Sequence, residues 1–170
     1  MGVCSCDVGA ELAKYDVKSS FCILPVHPDD LDLLDFVSAG AVFMDRAVPM
    51  GCSVFCAAFE HFSSFLDWEL WQNVGFKTIA HYLDYFLFCG KRQLGHCRQL
   101  MESFQKMACK LVLPLGDKKT EGPPSTLTFL GIELDTLQQF FRPPAATLED
   151  LRARLKCVQA QKKVTLQELQ

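Results

Sequence analysis

The sequence predicts an α+β fold in which a ferredoxin-like, split βαβ antiparallel sheet is backed by helices. Apolar residues recur at helical spacing over 52–71 and again over 92–113, which predicts two amphipathic helices. Short apolar runs bounded by turn residues occupy 12–26, 78–90 and 126–134, and such runs are typical of strands. The order strand, helix, hairpin, helix, strand favours one sheet covered by helices.

The bulk composition is that of a globular protein with one core. The chain has 170 residues, of which 49% are hydrophobic and 22% charged, so one packed domain is expected and overall disorder is not. Its formal net charge is −3. Proteins that hold nucleic acid on their own usually carry a basic surface, so any nucleic-acid footprint on this chain must be local or lost.

The cysteines indicate a reducing compartment, and the lack of long apolar segments indicates that no part of the chain spans a membrane. The nine cysteines are an odd number, no Cys-x-x-Cys pair occurs, and no signal-peptide pattern opens the chain. Free thiols are therefore expected. No run of about 18 uncharged apolar residues is present, which predicts no membrane span. We expect a cytoplasmic or nuclear protein in which residues 1–11 form a disordered leader.

The first half of the chain is predicted to contain two strands and a helix. A polar Asp-Val-Lys-Ser-Ser run at 16–20 interrupts apolar residues, which indicates a strand that leads into a bend. Residues 40–43 are typical of a second strand, and the Pro and Gly within 49–51 mark a loop. The helix over 52–71 has Ser53 near its start as a candidate N-cap.

The second half is predicted to contain a hairpin, two helices and a further strand. Two apolar runs surround a turn within 78–90, which favours a β-hairpin. The helix over 92–113 is followed by a polar loop over 117–124. A strand over 126–134 and a short charged helix over 148–158 complete the chain.

Two aspartates are the candidate metal ligands. Asp16 lies near the predicted end of a strand, and Asp84 lies at the apex of an apolar hairpin, where a charge costs free energy unless something pairs with it. Carboxylates from neighbouring strands of one sheet could together bind Mg²⁺, which takes one or two carboxylates in addition to substrate phosphates. The spacing leaves open the alternative that both residues are structural.

Five motifs, in order, resemble those of reverse transcriptases. The DVKSSF segment that begins at Asp16 resembles the first catalytic motif, and the PMG segment that ends at Gly51 resembles the second. The HYLDYFL segment around Asp84 resembles the Tyr-x-Asp-Asp hairpin. The KTE segment at Lys119 resembles the lysine loop, and 127–134 resembles the primer-grip strand. The residues within these motifs are most similar to those of vertebrate retrotransposon polymerases, in particular those of tyrosine-recombinase elements.

This resemblance implies a palm domain and a set of site residues. Asp16 and Asp84 would be the catalytic carboxylates that bind Mg²⁺ or Mn²⁺. Phe21 would exclude a 2′-hydroxyl and so favour deoxynucleotides, and Gly51 would let template and nucleotide approach the backbone closely. Lys119 would lie near the nucleotide phosphates. The implied partners are an RNA or DNA template–primer and a deoxynucleoside triphosphate.

The sequence departs from the family pattern in two respects. Tyr85 stands where the hairpin motif has its second Asp. The resemblance also assigns 12–145 to a palm-like domain and 146–170 to the helical start of a thumb or connection, so that fingers and most of a thumb are expected to be missing. Another chain could supply those parts. A palm without them is expected to expose apolar surface and to be poorly soluble.

Three functional hypotheses follow from the resemblance and these departures. The chain is expected to be a degenerate fragment of an RNA-directed DNA polymerase with weak or absent nucleotidyl transfer. One alternative is a weak but functional polymerase. The other is a non-catalytic module that binds nucleic acid or another polymerase subunit.

Overall fold

Eleven helices and strands of the computed structural model are described below, over residues 7–49, 51, 54–75, 79–116, 120 and 122–160, without the side chains of Phe21 and Ile79. In chain order they are β1 (Glu11–Asp16), β2 (Asp35–Ser38), β3 (Ala41–Met44), α1 (Phe55–Val74), β4 (Ile79–Tyr82), β5 (Tyr85–Gly90), α2 (His96–Lys110), β6 (Thr126–Phe129), β7 (Ile132–Asp135), β8 (Phe140–Arg142) and α3 (Ala145–Ala160).

The central sheet has the split βαβ arrangement. Its strand order is β1-β5-β4, and β5 is antiparallel to both neighbours. β1 and β4 are therefore parallel, joined through α1 and separated by β5. The segment that leads into β6 lies along the other edge of β1, where the backbone N–H of Leu12 donates to the carbonyl oxygen of Pro124 at 2.8 Å. The predicted α+β class with a helix-backed antiparallel sheet is confirmed.

Alternation along the strands divides the sheet into two faces. Side chains at every second position of β1 and β5 point toward the helices, and there Tyr15, Phe86 and Phe88 are at most 1% exposed. Phe104 of α2 packs against Phe86 with ring centroids 4.8 Å apart. Each buried aromatic side chain contributes roughly 1.5–3 kcal/mol, so this face is the main core. Its other members include Ala13, Val17, Phe55, Phe59, Leu66, Leu70, Cys97 and Leu100.

The opposite face of the sheet has a smaller core. Leu12 and Cys89 lie there together with Ala10 and Leu127. A second antiparallel sheet, β6-β7-β8, supplies Leu127. The predicted single strand over 126–134 is wrong, because Leu130 and Gly131 form a turn between β6 and β7. Both turn residues have positive φ, +48° and +77°, and Leu is an uncommon residue in such a turn.

A separate hairpin of β2 and β3 exposes apolar side chains on both faces. The predicted strand over 40–43 corresponds to β3, whereas β2 was missed because its sequence continues an acidic stretch. All eight strand residues are exposed. Phe36 and Phe43 stack at 5.6 Å on one face, and Val37 and Val42 lie on the other. Both faces of this hairpin therefore expose apolar surface.

Two expectations about the ends and the thiols need correction. Residues 9–11 are not part of a leader, because Gly9 donates to the carbonyl oxygen of Thr136, Ala10 is buried and Glu11 begins β1. Residues 1–6 and 161–170 lie outside the described residues. Cys89 is disulfide-bonded and not a free thiol. Among the cysteines that the structure describes, the free ones are Cys22, Cys56, Cys97, Cys109 and Cys157.

The predicted helices are found with shifted ends. α1 begins at Phe55 and ends before Gly75, whose φ of +78° stops the helix; the candidate N-cap Ser53 lies outside the described residues. α2 is shorter than predicted because a 3-10 turn at Arg92–Leu94 precedes it. Among the described residues, no helix is long and apolar enough to cross a membrane.

The core should make folding stability fall at alkaline pH. Burial raises the pKa of Cys97 from 9.0 to about 12, with the Glu11 carboxylate adding to the effect. Burial also raises the pKa of Tyr15 from 10.0 to about 12. A raised pKa in the folded state means that deprotonation favours unfolding, so stability is full below pH 9 and is lost above it. The loss begins above pH 9 for Cys97 and above pH 10 for Tyr15, and each group should then remove about 1.4 kcal/mol per pH unit.

Urea unfolding between pH 8 and pH 11 measures this loss. The Tyr15→Phe/Cys97→Ala double variant is the control, because it lacks both groups and should show a flatter dependence. An equally steep decline in the double variant would contradict the assignment to these two residues.

Candidate active site

The structure brings Asp16 and Asp84 to the same end of the central sheet. Asp16 is the last residue of β1, and it is 7% exposed. Asp84 lies in the two-residue turn between β4 and β5. The two segments are joined because the backbone N–H of Val17 donates to the carbonyl oxygen of Asp84 at 2.9 Å. The strand end that carries Asp16 and the turn that carries Asp84 are therefore neighbours at one end of the central sheet.

Tyr85 faces Asp16 across the two strands. These residues are direct partners in the β1–β5 register, and side chains of opposed residues in an antiparallel pair lie on the same face. Tyr82 is in turn opposite Tyr85 in the β4–β5 hairpin. The face that carries Asp16 thus presents the phenol side chains of Tyr82 and Tyr85. Tyr85 stands at the position where the reverse-transcriptase motif has its second carboxylate.

Two serine hydroxyls hold the turn that carries Asp84. Ser20, in the 3-10 turn that follows β1, is 3% exposed and donates from Oγ to Asp84 Oδ2 at 3.2 Å. Ser63, fully buried on α1, donates from Oγ to the carbonyl oxygen of Leu83 at 2.6 Å. Leu83 has a φ of +51°, a conformation that a non-glycine residue keeps only when its surroundings enforce it.

Gly116 leaves space beside the Asp16 carboxylate. Its backbone N–H donates to the carbonyl oxygen of Asp16 at 2.8 Å. A Cβ at this position would lie 3.0 Å from Asp16 Oδ2, which is tighter than ordinary contact. Sequence reasoning missed both Gly116 and Ser20, because their contacts with the aspartates depend on the tertiary fold.

The structure describes the remaining predicted site residues only in part. Phe21 lies in the 3-10 turn Ser20–Cys22, but its side chain is outside the described part of the structure. Lys119 is also outside the described residues. Gly51 is exposed and has a φ of +92°, which suits glycine and allows close approach of a ligand to the backbone. The roles implied for these three residues stay predictions.

His81 attaches the hairpin to α1 on the helix side of the sheet. Its Nε2 lies 3.1 Å from Glu60 Oε1, and its Nδ1 lies 3.9 Å from Asp67 Oδ2. The side chain is 12% exposed. His81 thus packs between the hairpin and α1. Over the residues that the structure describes, no group of three or more His, Cys, Asp or Glu side chains is arranged to hold a metal.

The second sheet is linked to the strand that carries Asp16. Lys14, two residues before Asp16 and on the same face of β1, donates from Nζ to the carbonyl oxygen of Thr128 at 2.9 Å. The β6–β7 hairpin, which the sequence assigned to the primer grip, is therefore attached to β1 on the Asp16 face. Leu130 at its turn is 48% exposed.

Solved structures with the same fold are reverse transcriptases. A foamy viral protease-reverse transcriptase bound to an RNA/DNA hybrid matches with a TM-score of 0.76 and 19% identity, over 94% of this chain. Structures of foamy viral protease-reverse transcriptase bound to double-stranded DNA match with TM-scores of 0.75 and 0.76, at 19% and 18% identity, over 94% and 96% of this chain. The fold is reverse-transcriptase-like. This confirms the fold expected from the motifs.

The reverse-transcriptase-like chain spans only part of those proteins. It covers 20%, 30% and 26% of the three matched chains. No protein-family model and no curated protein matches its sequence.

Proposed function

We propose that this chain is a fragment of a retrotransposon reverse transcriptase, corresponding to the palm, in which Asp16 and Asp84 bind Mg²⁺ or Mn²⁺. The observation that carries the proposal is that the strand end of Asp16 and the turn of Asp84 are hydrogen-bonded neighbours at one end of a split βαβ sheet, within a reverse-transcriptase-like fold. Oxygen ligands of this kind suit Mg²⁺ and Mn²⁺.

The residues of the site would share the work of nucleotidyl transfer. The metal ions would supply charge that favours attack by the primer hydroxyl and departure of pyrophosphate. Asp16 and Asp84 would hold the metal, and Lys119 would bind nucleotide phosphates. Phe21 would select the deoxyribose, and Gly51 would allow close approach of template and nucleotide. The partners would be an RNA or DNA template–primer and a deoxynucleoside triphosphate, in the cytoplasm or the nucleus.

Tyr85 makes the expected transfer weak or absent. The phenol lies across from Asp16, at the position where the family motif has a carboxylate, and it supplies no negative charge to a cation at neutral pH. Its ring also adds bulk at the turn. The chain would therefore have kept the fold and the carboxylates of Asp16 and Asp84, and it would have lost the carboxylate at position 85.

Primer extension on poly(rA)/oligo(dT) tests this function. We expect little or no extension by the natural chain and clear extension by its Tyr85→Asp variant, in Mg²⁺ or Mn²⁺. If both proteins are folded and neither extends the primer, catalysis by this fragment is excluded. Fingers or thumb from another chain would then be required.

A non-catalytic binding module is the second candidate. It is favoured by the phenol at Tyr85 and by the exposed apolar side chains of the β2–β3 hairpin, which would contact another polymerase subunit. This candidate predicts salt-dependent binding of an RNA/DNA hybrid that persists in an Asp16→Asn/Asp84→Asn variant. Fluorescence anisotropy at low salt measures the binding, and no binding under that condition would exclude a nucleic-acid module.

A further inference from the structure

Asp84 is held at two points by the short segment that follows Asp16. The backbone N–H of Val17 binds the Asp84 carbonyl oxygen, and the Ser20 hydroxyl binds its carboxylate. The segment that supplies both donors begins one residue after Asp16. The backbone and the carboxylate of Asp84 are therefore both tied to the segment that follows Asp16.

The Ser20 hydroxyl is itself held rigidly. Ser19 has a φ of +53°, and the carbonyl oxygens of Ser19 and Ser20 accept from the N–H groups of Cys22 and Ile23 in a tight turn. Ser20 is 3% exposed, so water competes weakly for its hydroxyl. A buried hydroxyl without a partner costs roughly 1–3 kcal/mol, and Asp84 Oδ2 satisfies this one.

Orientation of Asp84 matters more here than in a site with three carboxylates. Because Tyr85 replaces the second hairpin Asp, the proposed site has two carboxylates, Asp16 and Asp84, within the described part of the chain. An aspartate on a turn samples several rotamers, and only some of them direct an oxygen toward Asp16. The bond from Ser20 to Oδ2 favours one of these orientations.

We propose that Ser20 is a positioning residue for the metal site, whose hydroxyl orients the Asp84 carboxylate so that it and Asp16 bind the same divalent cation. This inference rests on the proposed function. Ser63 supports the same arrangement from α1, because its hydroxyl fixes the Leu83 carbonyl and hence the turn backbone. Removal of a residue that orients a metal ligand typically weakens metal affinity by about 10–100-fold.

Mn²⁺ binding, measured from the electron paramagnetic resonance signal of free Mn²⁺, tests the role of Ser20. Ser20→Ala should weaken binding at least roughly tenfold. Ser38→Ala, at an exposed serine on β2, is the matched control and should bind Mn²⁺ like the natural chain. Ser20→Thr keeps the hydroxyl and should restore most of the affinity, while Asp84→Asn should remove the site.

The outcomes separate this inference from the proposed function. If the natural chain shows no Mn²⁺ binding that Asp84→Asn removes, the proposed metal site and the role of Ser20 both fail. If that binding is present but Ser20→Ala equals Ser38→Ala, only the role of Ser20 is overturned. If Ser20→Ala also lowers the thermal unfolding midpoint, Ser20→Thr decides. Recovered affinity in that variant supports positioning, and affinity as weak as in Ser20→Ala contradicts it.

Discussion

Replacing Tyr85 by aspartate is expected to raise the rate of primer extension by up to about three decades. A carboxylate at this position would face Asp16 across the β1–β5 pair, close to a cation bound by the two aspartates. One unit-charge pair at about 4 Å in an effective dielectric of about 20 is worth roughly 4 kcal/mol. If that energy acts wholly on the transition state, it corresponds to about three decades of rate.

The neighbouring Tyr82 supplies a matched control for this prediction. It lies opposite Tyr85 in the hairpin and is 60% exposed, so Tyr82→Asp introduces the same charge on the same hairpin, one strand further from Asp16. We expect extension by Tyr85→Asp and none above background by Tyr82→Asp. Equal gains in both variants would show that added charge, and not a restored metal ligand, causes the effect.

Replacing Gly90 by alanine is expected to destabilise the fold by about 3 kcal/mol or more. Gly90 is the last residue of β5, and an added Cβ would lie 2.2 Å from the backbone nitrogen of Cys97 and 2.8 Å from the carbonyl carbon of His96. Backbone atoms at the start of α2 cannot rotate away as a side chain can. The helix would have to move, and overpacking of this kind typically costs about 1–3 kcal/mol, occasionally more.

Displacement of α2 would also disturb the main core. Leu100 and Phe104 of α2 are fully buried against the sheet, and a typical domain has only about 5–15 kcal/mol of stability in total. Gly40→Ala is the control, because Gly40 has a φ of +78° but an added Cβ would contact nothing within 4 Å. Urea unfolding measures both variants. A Gly90→Ala midpoint no lower than that of Gly40→Ala would contradict the close approach.

The sequence predicted those parts of the fold in which a local pattern agrees with the tertiary structure. α1 and α2 have long periodic apolar stripes, and the β4–β5 hairpin has two apolar runs about a polar turn. These elements also place Asp84 in a turn at one end of the central sheet. β2 was missed because the acidic residues around Asp35 indicated a solvated turn, and the turn between β6 and β7 was missed because Leu130 is not a usual turn residue.

The supporting contacts of the site could not be predicted from local pattern. Ser20 and Asp84 are 64 residues apart in the chain, and Gly116 comes from a loop after α2 to reach Asp16. A serine or a glycine carries no signal of such a contact in a single sequence, since both residue types are common in loops. The motif resemblance predicted Asp16 and Asp84 as the site carboxylates, and the fold shows which other groups touch these two residues.

Iron-directed cleavage of the polypeptide tests most directly whether Asp16 and Asp84 bind one cation. Fe²⁺ binds oxygen sites at least as well as Mn²⁺, and with ascorbate and peroxide it generates radicals that cut the chain near the bound metal. If the two aspartates bind one cation, we expect two cuts, one next to residue 16 and one next to residue 84. Excess Mg²⁺ should suppress both cuts, and both should be lost in Asp84→Asn. Cuts elsewhere, or a cut at one aspartate that survives loss of the other, would contradict a shared metal site.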